Sequence, residues 1–101
     1  MAEIPAGPGK TTLKKGEVIT SIFLPARPAR ASDAYLRFIP RTEMDIAVAS
    51  AAVSLELNAD GTVKMARVVL GAVAPTVVVA EAAGEALVGT KLDDATLAKL
   101  A

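Results

Sequence analysis

From residue 46 to 57 an apolar side chain stands at every second position: Ala47, Ala49, Ala51, Val53, Leu55 and Leu57. Ser50, Ser54 and Glu56 fall between them. Period two belongs to a β-strand, so one face of this segment is wholly apolar and the other largely polar. Asn58, Ala59, Asp60 and Gly61 follow, and Asn, Asp and Gly tolerate the positive φ of a tight hairpin turn. Residues 62–73 then read as the antiparallel return strand, with Gly71 marking a bulge or a close backbone approach. A hairpin with a continuous apolar face has to be covered. That requirement commits the chain to a layered domain.

The rest of the chain supplies the other layer. Gly16 opens a strand over 17–25, with Val18, Thr20, Ile22 and Leu24 on one face and Ile19, Ser21 and Phe23 on the other. Before it, residues 1–15 carry Pro5, Gly7, Pro8 and Gly9 and read as an irregular lead-in. After it, the Pro-rich 25–33 stretch breaks regular structure. A further strand is predicted over 34–39, its Leu36 and Phe38 directed to the core and Tyr35, Arg37 and Ile39 to the opposite face. Pro40 ends it, having no amide to donate. Residues 78–88 read as a helix with Ala83, Ala86 and Leu87 inward and Gly89 as its left-handed cap. The valines at 77–79 also permit a strand. Asp93 is placed to cap a second helix, with Leu92 and Leu97 at the spacing of a hydrophobic staple. That helix runs barely two turns to Ala101, which is marginal alone and points to a chain cut there. Strands followed by helices give an α+β fold: an antiparallel sheet of about four strands with the C-terminal helices packed on one face. At 101 residues the chain fits one domain spanning 1–101.

Composition narrows the chemistry. The chain has no Cys, which removes disulfides, iron–sulfur ligation and thiol nucleophiles, and no His, which removes the usual base near neutral pH. Eleven basic and eleven acidic residues cancel, so no global field attracts nucleic acid. No apolar run reaches the ~20 residues that span a bilayer, and no signal-peptide pattern opens the chain, so a cytoplasmic setting is the default.

Three groups merit weighing as sites. GPGKTT at 7–12 resembles the tail of a phosphate-binding loop, but the loop's first Gly would fall on Ile4, with no strand before it and no helix after. Glu81 and Glu85 stand one helical turn apart and read as a solvated face. Tyr35, Arg37, Arg41 and Asp45 are the candidate for ligand binding. Arg offers fixed donors to phosphate or a polarised carbonyl, and Tyr a flat surface for a ring. The plainer reading of the same residues is a solvated strand face, with Arg41–Asp45 as a surface ion pair.

Three stretches of the chain carry a family resemblance. TLKKGEVITSIFLP (12–25), AYLRFIPRTEMDIAVASAAVSL (34–55) and GAVAPT with AEAAGEALVGTKLDDATL (71–97) resemble the C-terminal domain of carbon monoxide dehydrogenase medium subunits and of xanthine dehydrogenases. The middle stretch is similar to the Y-x-K/R-x-x-x-R-x-x-x-D-x-A signature, and is the most specific. The resemblance implies a flavin-covering domain of a molybdenum hydroxylase. Its FAD would be held mainly by two upstream domains, electrons would come from an iron–sulfur subunit, and hydroxylation would occur at a molybdopterin subunit. Tyr35, Arg37, Arg41 and Asp45 match signature positions near the flavin. Val77 and Val79 depart from the family's T-P-x-R-A pattern, which weakens any role for that loop. The chain would then be an excised or truncated C-terminal domain, not expected to hold FAD tightly or to be catalytic alone. The alternative is a free-standing structural or interaction domain without redox activity. FAD-binding motifs in the coding sequence upstream would favour the former, and a true start at Met1 the latter.

Overall fold

The computed structural model of the chain describes residues 3–42 and 44–99. The apolar hairpin read from the sequence is its centre. Eight elements follow in order: β1 (Pro5–Gly7), β2 (Lys10–Thr11), β3 (Ala31–Phe38), β4 (Ala49–Leu57), β5 (Val63–Gly71), β6 (Val78–Val79), α1 (Glu81–Leu87) and α2 (Asp94–Ala98). β3 to β6 form a four-stranded antiparallel sheet in sequence order, so every connection joins neighbouring strands. The fold is α+β.

The β4–β5 turn has the predicted chemistry. Gly61 takes φ +83°, and the Asn58 amide donates to the Thr62 carbonyl at 2.8 Å. Asp60 accepts from the Thr62 amide at 2.9 Å and its hydroxyl at 2.6 Å, which locks the turn. The ladder slips at Glu56 and Leu57, where Leu57 lies opposite Val63 after Glu56 has paired with Met65. Gly71 marks a close approach instead of a bulge: a Cβ there would lie 2.5 Å from the Ser50 Oγ.

The best-sealed part of the molecule lies at the other end of β5. Val63 is fully buried and Leu87 nearly so. The chain leaving α1 holds Val63 in place, with the Val63 amide donating to the Thr90 carbonyl and the Gly89 amide to the Val63 carbonyl, both at 2.8 Å. Gly89 ends α1 with φ +81°, as its position implies. Asp93 caps α2 by accepting from the Thr96 amide at 2.8 Å. The C-terminal residues 100 and 101, included in the predicted second helix, lie outside the described residues.

Several particulars differ from the sequence reading. The predicted 17–25 strand does not form, and 18–28 carries no regular element. A strand exists only with a partner, and no edge of the sheet meets this stretch. The fourth strand of the sheet is instead the two-residue β6, in the valine run that the sequence left open between helix and strand. The lead-in is not wholly irregular, because β1 and β2 pair across Pro8 and Gly9. Ala86 is exposed, and the inward face of α1 is Ala83, Gly84 and Leu87. Gly84 is there because a Cβ would lie 2.8 Å from the Ala66 carbonyl oxygen, so only glycine lets the helix approach β5 this closely. Leu97 stays about half exposed.

Leu36 and Phe38 also depart from prediction. Their register is as read, opposite Ala51 and Ala49 on the apolar face, yet they are 78% and 66% exposed. α1 packs along β5, at the far side of the sheet from edge strand β3, and α2 makes no extended contact with any strand. The apolar face is therefore covered at one end and open at the other. The Cα radius of gyration, 16.3 Å, exceeds the ~13 Å of a compact domain this long.

Candidate functional site

Strand alternation sets the first two residues of the site. Tyr35 and Arg37 project from the same face of β3, Tyr35 opposite Ala52 and Arg37 opposite Ser50. One strand further in, Ala52 faces Val69 and Ser50 faces Gly71. Beside the two large side chains the sheet thus presents a run of small ones. The floor is lowest at Ser50 and Gly71, because Gly71 has no Cβ to add to the Ser50 side chain, while Val69 stands across from Ala52 and Arg67 across from Ser54. Tyr35 is 62% exposed, so its ring is available to a partner. Ser50, Ala52 and Gly71 were not among the candidate site residues read from the sequence. Their signal was the hairpin register, which places them across from Tyr35 and Arg37.

Arg41 and Asp45 come from the loop that Pro40 begins. β3 ends at Phe38, and the Val48 amide donating to the Phe38 carbonyl at 2.9 Å closes the loop across its base. Within it the Arg41 Nε donates to Asp45 Oδ2 at 3.1 Å, while Asp45 Oδ1 accepts from the Ile46 amide at 3.0 Å. Arg41 remains largely exposed and Asp45 mostly covered. The structure joins Tyr35 with Arg37 on a strand face and Arg41 with Asp45 in the loop at that strand's end. No hydrogen bond links the two pairs among the described residues.

The other candidates fall away. GPGKTT lies in the β1–β2 hairpin and runs on without a helix, so its amides are not gathered into a phosphate cradle. Glu81 and Glu85 are exposed on α1. They border a cavity of about 580 Å³ between α1 and β5 that contains none of the four candidate residues. No group of His, Cys, Asp or Glu among the described residues is arranged to hold a metal. No helix among them is long and apolar enough to cross a membrane.

Residues 33–101 match the CO dehydrogenase flavoprotein C-terminal domain. The chain belongs to that family. Among solved structures, it superposes on a chain of Cu,Mo-CO dehydrogenase in its cyanide-inactivated form with a TM-score of 0.85 and 36% identity, over 98% of this chain and 34% of that one. Quinoline 2-oxidoreductase from Pseudomonas putida 86 gives a TM-score of 0.85 at 30% identity, over 98% of this chain and 33% of that one. Mouse aldehyde oxidase 4 is 37% identical over 86 residues, which are 84% of this chain and 6% of the relative. The chain thus spans about a third of the solved chains it matches, and a small part of the aldehyde oxidase. The family match begins on β3 and includes Tyr35, Arg37, Arg41 and Asp45.

Proposed function

We propose that this domain covers the FAD of a molybdenum hydroxylase's flavin subunit and supports electron transfer through it, in a cytoplasmic complex with iron–sulfur and molybdopterin subunits. The observation that carries this reading is the open floor of small residues beside Tyr35 and Arg37, in a chain of a flavoprotein domain family. FAD bound in the complete subunit would supply the redox relay from iron–sulfur clusters to an external acceptor. The residues present fit its flat ring. Tyr35 offers an aromatic surface, and Ser50, Ala52 and Gly71 leave room beside it for a planar group. The Arg37 and Arg41 guanidiniums would offer hydrogen-bond donors to the edge of the bound ring. Asp45 orients Arg41 through their 3.1 Å contact, and because the Arg41 end is largely exposed the pair does not withhold Arg41 from a ligand. The upstream FAD-binding domains of the same subunit would hold the rest of the cofactor.

The reading is tested in the complete subunit. Tyr35→Ala and Arg41→Ala should each alter the flavin absorption spectrum or slow flavin reduction, with the thermal midpoint unchanged. Arg67→Ala, on β5 across from Ser54 and outside the signature positions, should leave the flavin as it was. If all three variants keep a normal flavin, the segment is a solvated strand face and the domain is an interaction module.

A further inference from the structure

Edge strand β3 has one side bonded to β4 and one side bare. The Leu57 amide donates to the Arg30 carbonyl at 3.0 Å, one residue before the strand begins, and the pairing keeps that register from Ala31 to Phe38. Along an antiparallel strand, successive residues turn their backbone groups to alternate sides. The even-numbered residues from 32 to 38 therefore turn theirs to β4, and Asp33, Tyr35 and Arg37 turn theirs away. Among the described residues, no backbone group meets those three on the outer side. A long edge with its amides and carbonyls bare is a template for another strand.

The side chains of that edge select which strand. Asp33, Tyr35 and Arg37 share one face, and opposite charges stand two positions either side of Tyr35. In a second copy running antiparallel with the two Tyr35 residues opposite each other, each Asp33 faces the other copy's Arg37. Both partners in these pairs point their backbone groups at each other, so every pair exchanges two hydrogen bonds. A two-fold axis at Asp33 or at Arg37 would instead set like charges opposite each other, which destabilises pairing. Charge thus selects one register. Asp33 already meets Arg27 of its own chain, but its side chain is 57% exposed and a carboxylate accepts from more than one donor.

We propose that β3 is a self-pairing edge. Two copies of this chain join antiparallel through β3 about Tyr35, which merges their two four-stranded sheets into one and sets an Asp33–Arg37 pair on either side of the axis. The contact lies in the plane of the sheet. It therefore leaves the Tyr35 face of each copy open and places the two faces side by side. The pairing does not rest on the flavin reading, because it uses the backbone of β3 and the charges flanking Tyr35.

Sedimentation equilibrium on the 101-residue chain should show monomer and dimer in exchange. Hydrogen–deuterium exchange should slow at the Asp33, Tyr35 and Arg37 amides as concentration rises, while Ala34 and Leu36 are protected throughout. Asp33→Arg and Arg37→Asp each turn two attractive pairs into two repulsive ones and should weaken the dimer about tenfold or more. Combining them restores complementarity with the signs exchanged, and should bring the dimer back to within about threefold. Tyr35→Pro removes an amide that β4 does not use, so it should abolish the dimer and leave a folded monomer. The proposal is overturned if the chain stays monomeric into the millimolar range. It is overturned equally by a dimer indifferent to the charge swaps, which would lie on the open Leu36 and Phe38 face. Protection of the same amides in a complete subunit that is itself monomeric would give the edge to another segment, and also overturn it.

Discussion

Two aspartates show how single residues hold this fold. Asp60 is kept below the ordinary carboxylate range by hydrogen bonds from the Thr62 hydroxyl and then its amide. Asp93 is lowered in the same way by the Thr96 hydroxyl and amide at the start of α2. A lowered folded-state pKa means the ionised form is favoured by folding. The stabilisation is therefore complete above the unfolded value of about 3.9 and is lost as pH falls through the lower folded value. Carboxyl NMR titration should give midpoints below 3.9 for both residues. Asp60→Asn with Asp93→Asn should make acid unfolding less steep below that pH while the turn and cap persist, since Asn serves in both positions. Midpoints at or above the ordinary value would mean that the hydrogen bonds do not persist in solution.

Gly84 and the helix it belongs to raise a conflict between local preference and packing. Replacing an interior helical glycine with alanine ordinarily stabilises by about 1 kcal/mol. Here the added methyl would lie 2.8 Å from the Ala66 carbonyl oxygen, and backbone cannot rotate away as a side chain can. Packing should win: Gly84→Ala is expected to destabilise the chain by about 1–3 kcal/mol, as overpacked sites do. Urea denaturation checks this, and a raised midpoint would show that α1 does not press on β5. Leu87→Ala should cost more, about 2–5 kcal/mol, because Leu87 is one of two buried apolar side chains among the described residues. The same close packing explains why Ala86 is exposed. α1 meets β5 at the Gly84 contact, which turns Ala83 and Leu87 inward and Ala86 away.

As a whole molecule the chain buries little of its own apolar surface. The face with Leu36 and Phe38 is open, the stretch 17–24 is exposed on both sides, and Tyr35 and Arg37 lie on an exposed strand. On the proposed reading, the domain would contribute one wall of a site and leave the rest to its neighbours. It follows that the isolated chain should not bind FAD tightly: its single phosphate-loop-like stretch is a hairpin turn, and Tyr35 and the arginines offer only a ring-facing surface. Titrating FAD with the chain should leave flavin fluorescence and absorbance unchanged. Sub-micromolar binding would show that this domain holds the cofactor by itself.

Period-two alternation, the 58–61 turn, Pro40, Gly89 and Asp93 determined the central hairpin, the end of β3 and the caps of both helices, because each acts through neighbours in sequence. They also set the parity that puts Tyr35 and Arg37 on one face and the break that sends Arg41 and Asp45 into a loop. Tertiary structure alone decided what lies across from them: the floor of Ser50, Ala52 and Gly71 follows from inter-strand register. It alone decided that α1 covers the sheet at β5 and leaves Leu36 and Phe38 bare, since a strand pattern gives the face of a residue but not what covers that face. And it alone decided that 17–25, whose residues read as a strand, is not one here. Alternation prepares a backbone for pairing, but the hydrogen bonds that make it a strand belong to a second strand, and the described residues of this chain hold none for it.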